Sequence, residues 1–222
     1  MSKQNWQQIY ARGEQLNRYP YDFIVANYFH YLRTYDGQVL KVLDLGCGGG
    51  NHSLFCAENG AQVLAVDYSL SALDTVNRRA EEQGLGERIT TAQVDFEDFS
   101  LSVSGIDLVI DRLSVSHAPR HCAKQVYDAV YQMLNPGGVI LSNVFSTGHS
   151  DKDFGRYDDK LDTWVDFNGG IFEHLHAASF YSEQEVRQLF NLYRVNSLSC
   201  ETQRELTSTN ECFEIWKIIA QK

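Results

Sequence analysis

No stretch of this chain is apolar over the roughly 20 residues that a membrane-spanning helix needs. The opening residues, Met1-Ser2-Lys3-Gln4-Asn5-Trp6, lack the apolar core of a secretory signal. Cys-x-x-Cys is absent too. The five cysteines, Cys47, Cys56, Cys122, Cys200 and Cys212, are odd in number and far apart. Neither a disulfide framework nor a structural zinc site is expected, and a reducing cytoplasm is the expected setting. Basic clusters are scarce: the formal charge is −10, and the one dense basic spot, Arg78-Arg79, sits in a helical pattern that suggests a solvated face. Tight binding to a phosphate backbone is therefore disfavoured. Internal repeats and low-complexity segments are missing as well. With 222 residues, the chain fits one domain, 1–222, with a full core.

What is present centres on residues 39–50, Val-Leu-Lys-Val-Leu-Asp-Leu-Gly-Cys-Gly-Gly-Gly. A nearly continuous apolar run reads as a strand buried on both faces. The glycines that follow permit positive φ and let backbone approach a ligand with no Cβ between them. In an open α/β sheet, ligands bind beyond the carboxyl ends of the strands. The stretch predicts a nucleotide-like ligand at a strand-to-helix turn. One alternative is the dinucleotide pattern Gly-x-Gly-x-x-Gly/Ala, in which Gly46 and Gly48 fit but Asn51 takes the third small position. Asp44 just before the turn also suits two phosphates poorly. The remaining alternative is a glycine-rich turn with no ligand.

Further strands are expected at 61–67, 88–94, 106–110 and 139–145. They alternate with helices at 51–59, from Ser69 to about Gln83, and from about His121 to Leu134. Asn135-Pro136-Gly137-Gly138 reads as a turn into the fifth strand. This alternation predicts a doubly wound, mostly parallel sheet with helices on both faces. The tail departs from it. Ser182 and Glu185 form a capping-box pattern for a helix to about Leu192. Strand-like runs at 195–201 and 212–220 follow without a helix between them, so they should pair antiparallel. The segment from about Ser146 to Phe180 is expected to be irregular. Its aromatic residues between Phe154 and Phe172 suggest a packed lid, and a connection of that length is usually functional or disordered.

Asp44-Leu45-Gly46-Cys47-Gly48-Gly49-Gly50 resembles the first motif of class I S-adenosylmethionine-dependent methyltransferases, an acidic residue, any residue, then Gly-x-Gly-x-Gly. The resemblance runs from about Val39 to Ala220. It implies a seven-stranded sheet whose last strand lies antiparallel between the fifth and sixth. It implies S-adenosylmethionine as cofactor, with S-adenosylhomocysteine as product. Asp67 matches the acidic residue that binds the ribose hydroxyls, with Tyr68 and Ser69 beside the adenosine. A carboxylate accepts two hydroxyl donors, which suits that role. Asp95-Phe96 matches the acidic-aromatic pair near the adenine. Asp44 is expected to orient the turn, and Asp111, Arg112 and Leu113 follow the fourth strand near the methionine part. Residues 1–36 resemble a helical lid, and 146–180 a substrate cap.

Methyl transfer needs an aligned acceptor and exclusion of water, and a base only when the acceptor carries a proton to lose. His117, just beyond the fourth strand, is the catalytic candidate by resemblance, with a purely structural role for it left open. His121, His149, His174 and His176 are the other candidate histidines. Tyr10, Arg18, His149 and His174 are candidate substrate residues. Glu173-His174-Leu175-His176 is too weak a cluster for a metal site, and none is expected. Asp151, Asp153, Asp158, Asp159, Asp162 and Asp166 form either a solvated acidic face or a selector for a cationic acceptor. The expected activity is methylation of a small molecule. The alternatives are a protein or RNA methyltransferase, or a non-catalytic S-adenosylmethionine-binding protein. The sequence lacks the Asn/Asp-Pro-Pro-aromatic motif of amino methylation on DNA or protein glutamine.

Overall fold

Apolar, β-branched runs alternate with amphipathic segments, and the elements follow that alternation. The computed structural model describes residues 3–35, 39–173, 175, 177–205 and 211–222. Helices α1 (Lys3–Ala11) and α2 (Asp22–Leu32) precede β1 (Lys41–Leu45), α3 (Asn51–Glu58), β2 (Gln62–Asp67), α4 (Leu70–Glu82) and β3 (Ile89–Gln93). Next come β4 (Ile106–Arg112), α5 (Arg120–Met133) and β5 (Leu134–Ser146). The remainder holds β6 (Arg156–Asp158), β7 (Thr163–Val165), β8 (Ala177–Ala178), β9 (Phe180–Tyr181), α6 (Glu183–Leu189), β10 (Arg194–Arg204) and β11 (Cys212–Gln221).

The main sheet has the order β10-β11-β5-β4-β1-β2-β3. Strands β3, β2, β1, β4 and β5 are parallel neighbours. β11 runs antiparallel to both β5 and β10, so the terminal pair is antiparallel as the tail pattern predicts, and its last strand lies where the resemblance implies. β9 adds a short eighth strand, parallel to β5 through Phe145↔Phe180. It is two residues long, too short to leave a periodic signal.

Alternate strand residues feed two cores. Val42, Val63, Leu108 and Ile110 pack against Ile24 and Tyr28 of α2, Leu54 of α3 and Val76 of α4. Leu43, Val109, Val144 and Ile218 pack on the other face against Val126 and Tyr127 of α5 and Val186 of α6. Burying apolar side chains on both faces contributes about 25 cal/mol per Å², and it leaves the strand ends open for a ligand.

Three expectations change. Asn135 to Gly138 extend β5 instead of preceding it, because the carboxyl terminus pairs with them: Lys222 N–H donates to the Gly138 carbonyl at 3.0 Å. Residues 146–180 are not irregular throughout. They contain a three-stranded antiparallel sheet, β6-β7-β8, around Phe167, Phe172, Ala178 and Phe180. Arg79 is not on a solvated face. Its guanidinium donates to the carbonyls of Gly49 (2.8 Å), Asn17 (3.2 Å) and Leu16 (3.3 Å), tying the N-terminal segment to the glycine turn.

The capping box of α6 is present: the Ser182 hydroxyl accepts from the Glu185 N–H, and the Glu185 carboxylate accepts from the Ser182 N–H at 2.7 Å. Ser182→Ala should lower unfolding free energy by about 0.5–2 kcal/mol, read from the midpoint of urea denaturation.

Candidate functional site

The chain turns sharply between β1 and α3, and neighbours hold the turn from three sides. Cys47 N–H donates to the Val66 carbonyl at 2.9 Å. Gly48 N–H donates to Asp67 Oδ2 at 3.0 Å. The Ser114 hydroxyl donates to the Gly46 carbonyl at 3.0 Å. Gly48 has φ +51°, and a Cβ there would lie 2.6 Å from the Tyr10 hydroxyl oxygen. Gly50 has φ +80°, and its Cβ would lie 2.7 Å from Val76 Cγ2. Only glycine meets the left-handed backbone and the close approach together.

Above this turn lies a cavity of about 370 Å³, within the range of small-molecule sites. Asp44, Gly46, Cys47, Gly48, Asp67, Tyr68, Asp95, Phe96, Arg112, Leu113, His117 and Tyr10 line it. Leu113 has φ +62°, a strained conformation for a non-glycine residue, of the kind that clusters at functional sites. Other expected site residues lie elsewhere. Gly50 starts α3. The Ser69 hydroxyl caps α4 by accepting from Ala72 N–H. Arg18 borders a separate cleft beside Arg78. His149 is buried among Phe145, Phe172, Phe180 and Phe213. His121 is exposed on α5. His174 and His176 fall outside the described residues.

Asp111 is the main correction. Its carboxylate faces inward, not towards the cavity. Oδ2 accepts from the hydroxyls of Tyr127 (2.6 Å) and Ser142 (2.9 Å), and Oδ1 from the N–H groups of Ser114 (3.0 Å) and Val115 (3.2 Å). These donors occupy its lone pairs, so it positions the loop after β4.

The carboxylates along the turn are poised rather than relaxed. Burial pushes Asp67 up to about 6, against the opposing pull of the Ser69 and Gly48 N–H groups. Burial pushes Asp44 up to about 7, opposed by the Ser53 hydroxyl bond at 2.6 Å and reinforced by the charge of Asp67. Both groups would gain from a nearby cation.

His117 is held down to about 4 by burial. Its Nδ1 lies 3.1 Å from the Ala177 carbonyl, which can only accept, so Nδ1 carries the hydrogen and Nε2 the lone pair. Trp6 meets this ring edge-on at 5.1 Å and stacks on Tyr10 at 5.8 Å. α1 is anchored over the site by Gln7, whose side chain bonds the Ser69 hydroxyl (2.8 Å) and the Ser71 hydroxyl (2.6 Å).

Several lining residues carried no signal in the sequence. His52 reads as part of an ordinary helix start. Phe213 comes from β11, and Phe145 from β5; both reach the cavity only because β11 pairs beside β5. Non-local pairing of that kind leaves no local pattern.

His149 is also kept neutral, held down to about 4 by burial. A histidine whose folded-state pKa is depressed costs nothing above its unfolded value of about 6.5. Below that, the unfolded chain binds the proton first, so stability falls towards pH 4 with a slope of up to about 1.4 kcal/mol per pH unit. His149→Phe should therefore lose less stability than the parent chain between pH 6.5 and 4.5, measured by urea unfolding at each pH.

Residues 42–138 match the family model described as a methyltransferase domain. The chain is similar to the ubiquinone biosynthesis O-methyltransferase of Psychrobacter cryohalolentis, 33% identical over 106 residues, covering 47% of this chain and 40% of that protein. It is also similar to the malonyl-[acyl-carrier protein] O-methyltransferase of Pseudescherichia vulneris, 25% identical over 187 residues, covering 84% of this chain and 64% of the relative. The chain thus spans about 40% of the length of the first of these relatives. Among solved structures, the 1,6-didemethyltoxoflavin-N1-methyltransferase of Burkholderia thailandensis superposes with a TM-score of 0.67 at 17% identity, covering 99% of this chain and 86% of that one. The sheet order and inverted last strand match the class I methyltransferase fold, and residues 42–138 within it match a methyltransferase domain.

Proposed function

We propose that the chain transfers a methyl group from S-adenosylmethionine to a small-molecule acceptor, in a reducing cytoplasm. The glycine turn carries this reading. It is a cradle that a Cβ at residue 48 would fill, bordered by the carboxylates of Asp44, Asp67 and Asp95. Those groups suit a ligand bearing an amino group, a sulfonium and two ribose hydroxyls, and they suit a pyrophosphate badly. In this reading Asp67 accepts from the ribose hydroxyls, with Tyr68 beside the adenosine. Asp95 accepts from the exocyclic amine of adenine, Phe96 packs on the base, and Asp44 faces the amino end. Gly50, Ser69 and Asp111 act indirectly, by shaping the turn, capping α4 and holding the loop after β4.

When bound, the cofactor supplies an electrophilic methyl group on a good leaving group. The chain supplies alignment and a dry cavity. Residues 1–36 serve as a lid through Trp6 and Tyr10, and 146–180 as a substrate cap through Ile171, Phe172 and Leu175, all on the cavity wall. This cover favours a small acceptor over a protein or RNA strand. A hydroxyl acceptor must shed a proton as its bond to the methyl carbon forms and the carbon–sulfur bond breaks, and an ammonium must shed one beforehand to free its electron pair. His117 Nε2, with its lone pair free of any hydrogen bond among the described residues, receives that proton. The five cysteines are all free, which fits a reducing compartment.

Titration calorimetry with S-adenosylmethionine and NAD tests the cofactor: S-adenosylmethionine should bind and NAD should not, and the reverse would sink the reading. Asp67→Ala should weaken S-adenosylmethionine by about 1–3 kcal/mol. Because Asp67 and Asp44 are raised to about 6 and about 7, a cationic ligand favours their ionised forms. Affinity should rise as pH increases through that window and then level off. With an acceptor in hand, His117→Ala should lower kcat by about 10²-fold or more while the dissociation constant of S-adenosylmethionine holds. An unchanged kcat would leave His117 a structural role only.

A further inference from the structure

Arg112, the last residue of β4, lines the same cavity. Its guanidinium sits 4.0 Å from the centre of the Tyr21 ring. Among the described residues it makes no side-chain hydrogen bond and no ion pair. The carboxylates whose charge reaches it are already engaged. Asp111 has its four donors, Asp22 accepts from the Phe23 N–H at 2.7 Å, and Glu201 pairs with Lys217. A guanidinium has five N–H donors and no acceptor. Set in a cavity wall with none of them answered among the described residues, it is placed to take an anion.

His52 stands beside it. The Tyr21 ring contacts the imidazole at 5.9 Å, and the Tyr21 N–H points at His52 Nε2 at 3.5 Å. Nε2 is thus the acceptor, and in the neutral ring Nδ1 carries the hydrogen. Burial and the neighbouring Arg112 charge both keep that ring neutral. This corner of the cavity therefore offers donors. The carboxylates of Asp44, Asp67 and Asp95 line the same cavity, so it presents both signs of charge.

We infer that Arg112, with His52 beside it, recognises a carboxylate on the methyl acceptor, and that the acceptor is a flat, largely apolar acid. This rests on the methyltransferase reading above. A guanidinium fork matches a carboxylate with two parallel bonds, which an ammonium cannot do. The apolar part of the acceptor lies against Phe145, Phe172 and Phe213, rings that line the cavity. Four acidic residues of the 146–180 segment are already engaged within it. Asp151 accepts from Phe172 N–H at 2.8 Å, Asp158 from Lys160 N–H at 3.0 Å, Asp162 from the Tyr157 hydroxyl, and Asp166 bonds Arg156 at 2.8 Å.

The test uses the full chain saturated with S-adenosylhomocysteine, titrated with benzoate and with its neutral counterpart benzamide. Benzoate should bind about tenfold tighter or better, since tenfold corresponds to roughly one charge-assisted hydrogen bond. Arg112→Met should erase the preference, and Arg112→Lys should keep part of it. Parental affinity of both variants for S-adenosylhomocysteine shows that they fold. Equal binding of the two probes, or no binding of benzoate, overturns the inference. So does a loss of S-adenosylhomocysteine affinity in Arg112→Met that its decarboxylated analogue does not share, because the anion is then the cofactor's own carboxylate. If the parent chain fails to bind S-adenosylhomocysteine at all, the methyltransferase reading falls first and takes this one with it.

Discussion

The hydrogen bond from Gly48 N–H to the Asp67 carboxylate, 3.0 Å long, ties together the parts on which the site depends. Its donor sits in the turn after β1 and its acceptor at the end of β2. The other carboxylate oxygen accepts from Ser69 N–H at 2.9 Å, at the start of α4. One buried side chain thus fixes the entry to two helices relative to two parallel strands. Burying that carboxylate with only backbone donors is costly, which is why its pKa stands raised. The cost is offset when a ligand brings hydroxyls or positive charge, so the contact that organises the turn also primes it for binding.

The same logic runs through the rest of the cavity in opposite senses. Asp44 and Asp67 are carboxylates short of positive charge. Arg112 is a cation short of negative charge. His117 is a neutral ring with one nitrogen spent on a backbone carbonyl. Asp111 shows what a satisfied buried carboxylate looks like in this protein, with two hydroxyl donors on one oxygen and two N–H donors on the other. The contrast separates groups that hold the fold from groups left for a ligand. The cavity presents both signs of charge, with the Asp44 and Asp67 carboxylates and the Arg112 guanidinium on its wall beside the rings of Phe145, Phe172 and Phe213.

Much of the fold was legible in the chain because its signals are local. The apolar runs at β1, β2 and β4, the helix caps at Ser69 and Ser182, and the helix-free tail each follow from neighbouring residues. The glycines, Asp44, Asp67 and Asp95-Phe96 were legible for the same reason, since each sits at a strand end where a short motif forms. Asp111 was misplaced because a strand-end carboxylate looks alike in sequence whether it faces a ligand or a tyrosine. Arg79 was misplaced because a long side chain can leave its helix face and find carbonyls sixty residues away. His149, a candidate substrate residue in the sequence, is enclosed by four phenylalanines from separate elements.

By itself, then, the sequence determined the order of elements, the antiparallel tail, the glycine turn and the strand-end residues that gather around it, because periodicity and strand-end motifs act over short spans. Only the tertiary structure decided how α1 lies over the turn and which carboxylates are already satisfied. It also decided that Phe145 and Phe213 share a wall with His117, and that Arg112 and His52 meet around Tyr21. Those arrangements depend on strands and helices far apart in the chain, where packing on two sheet faces chooses among many neighbours that no local pattern can name.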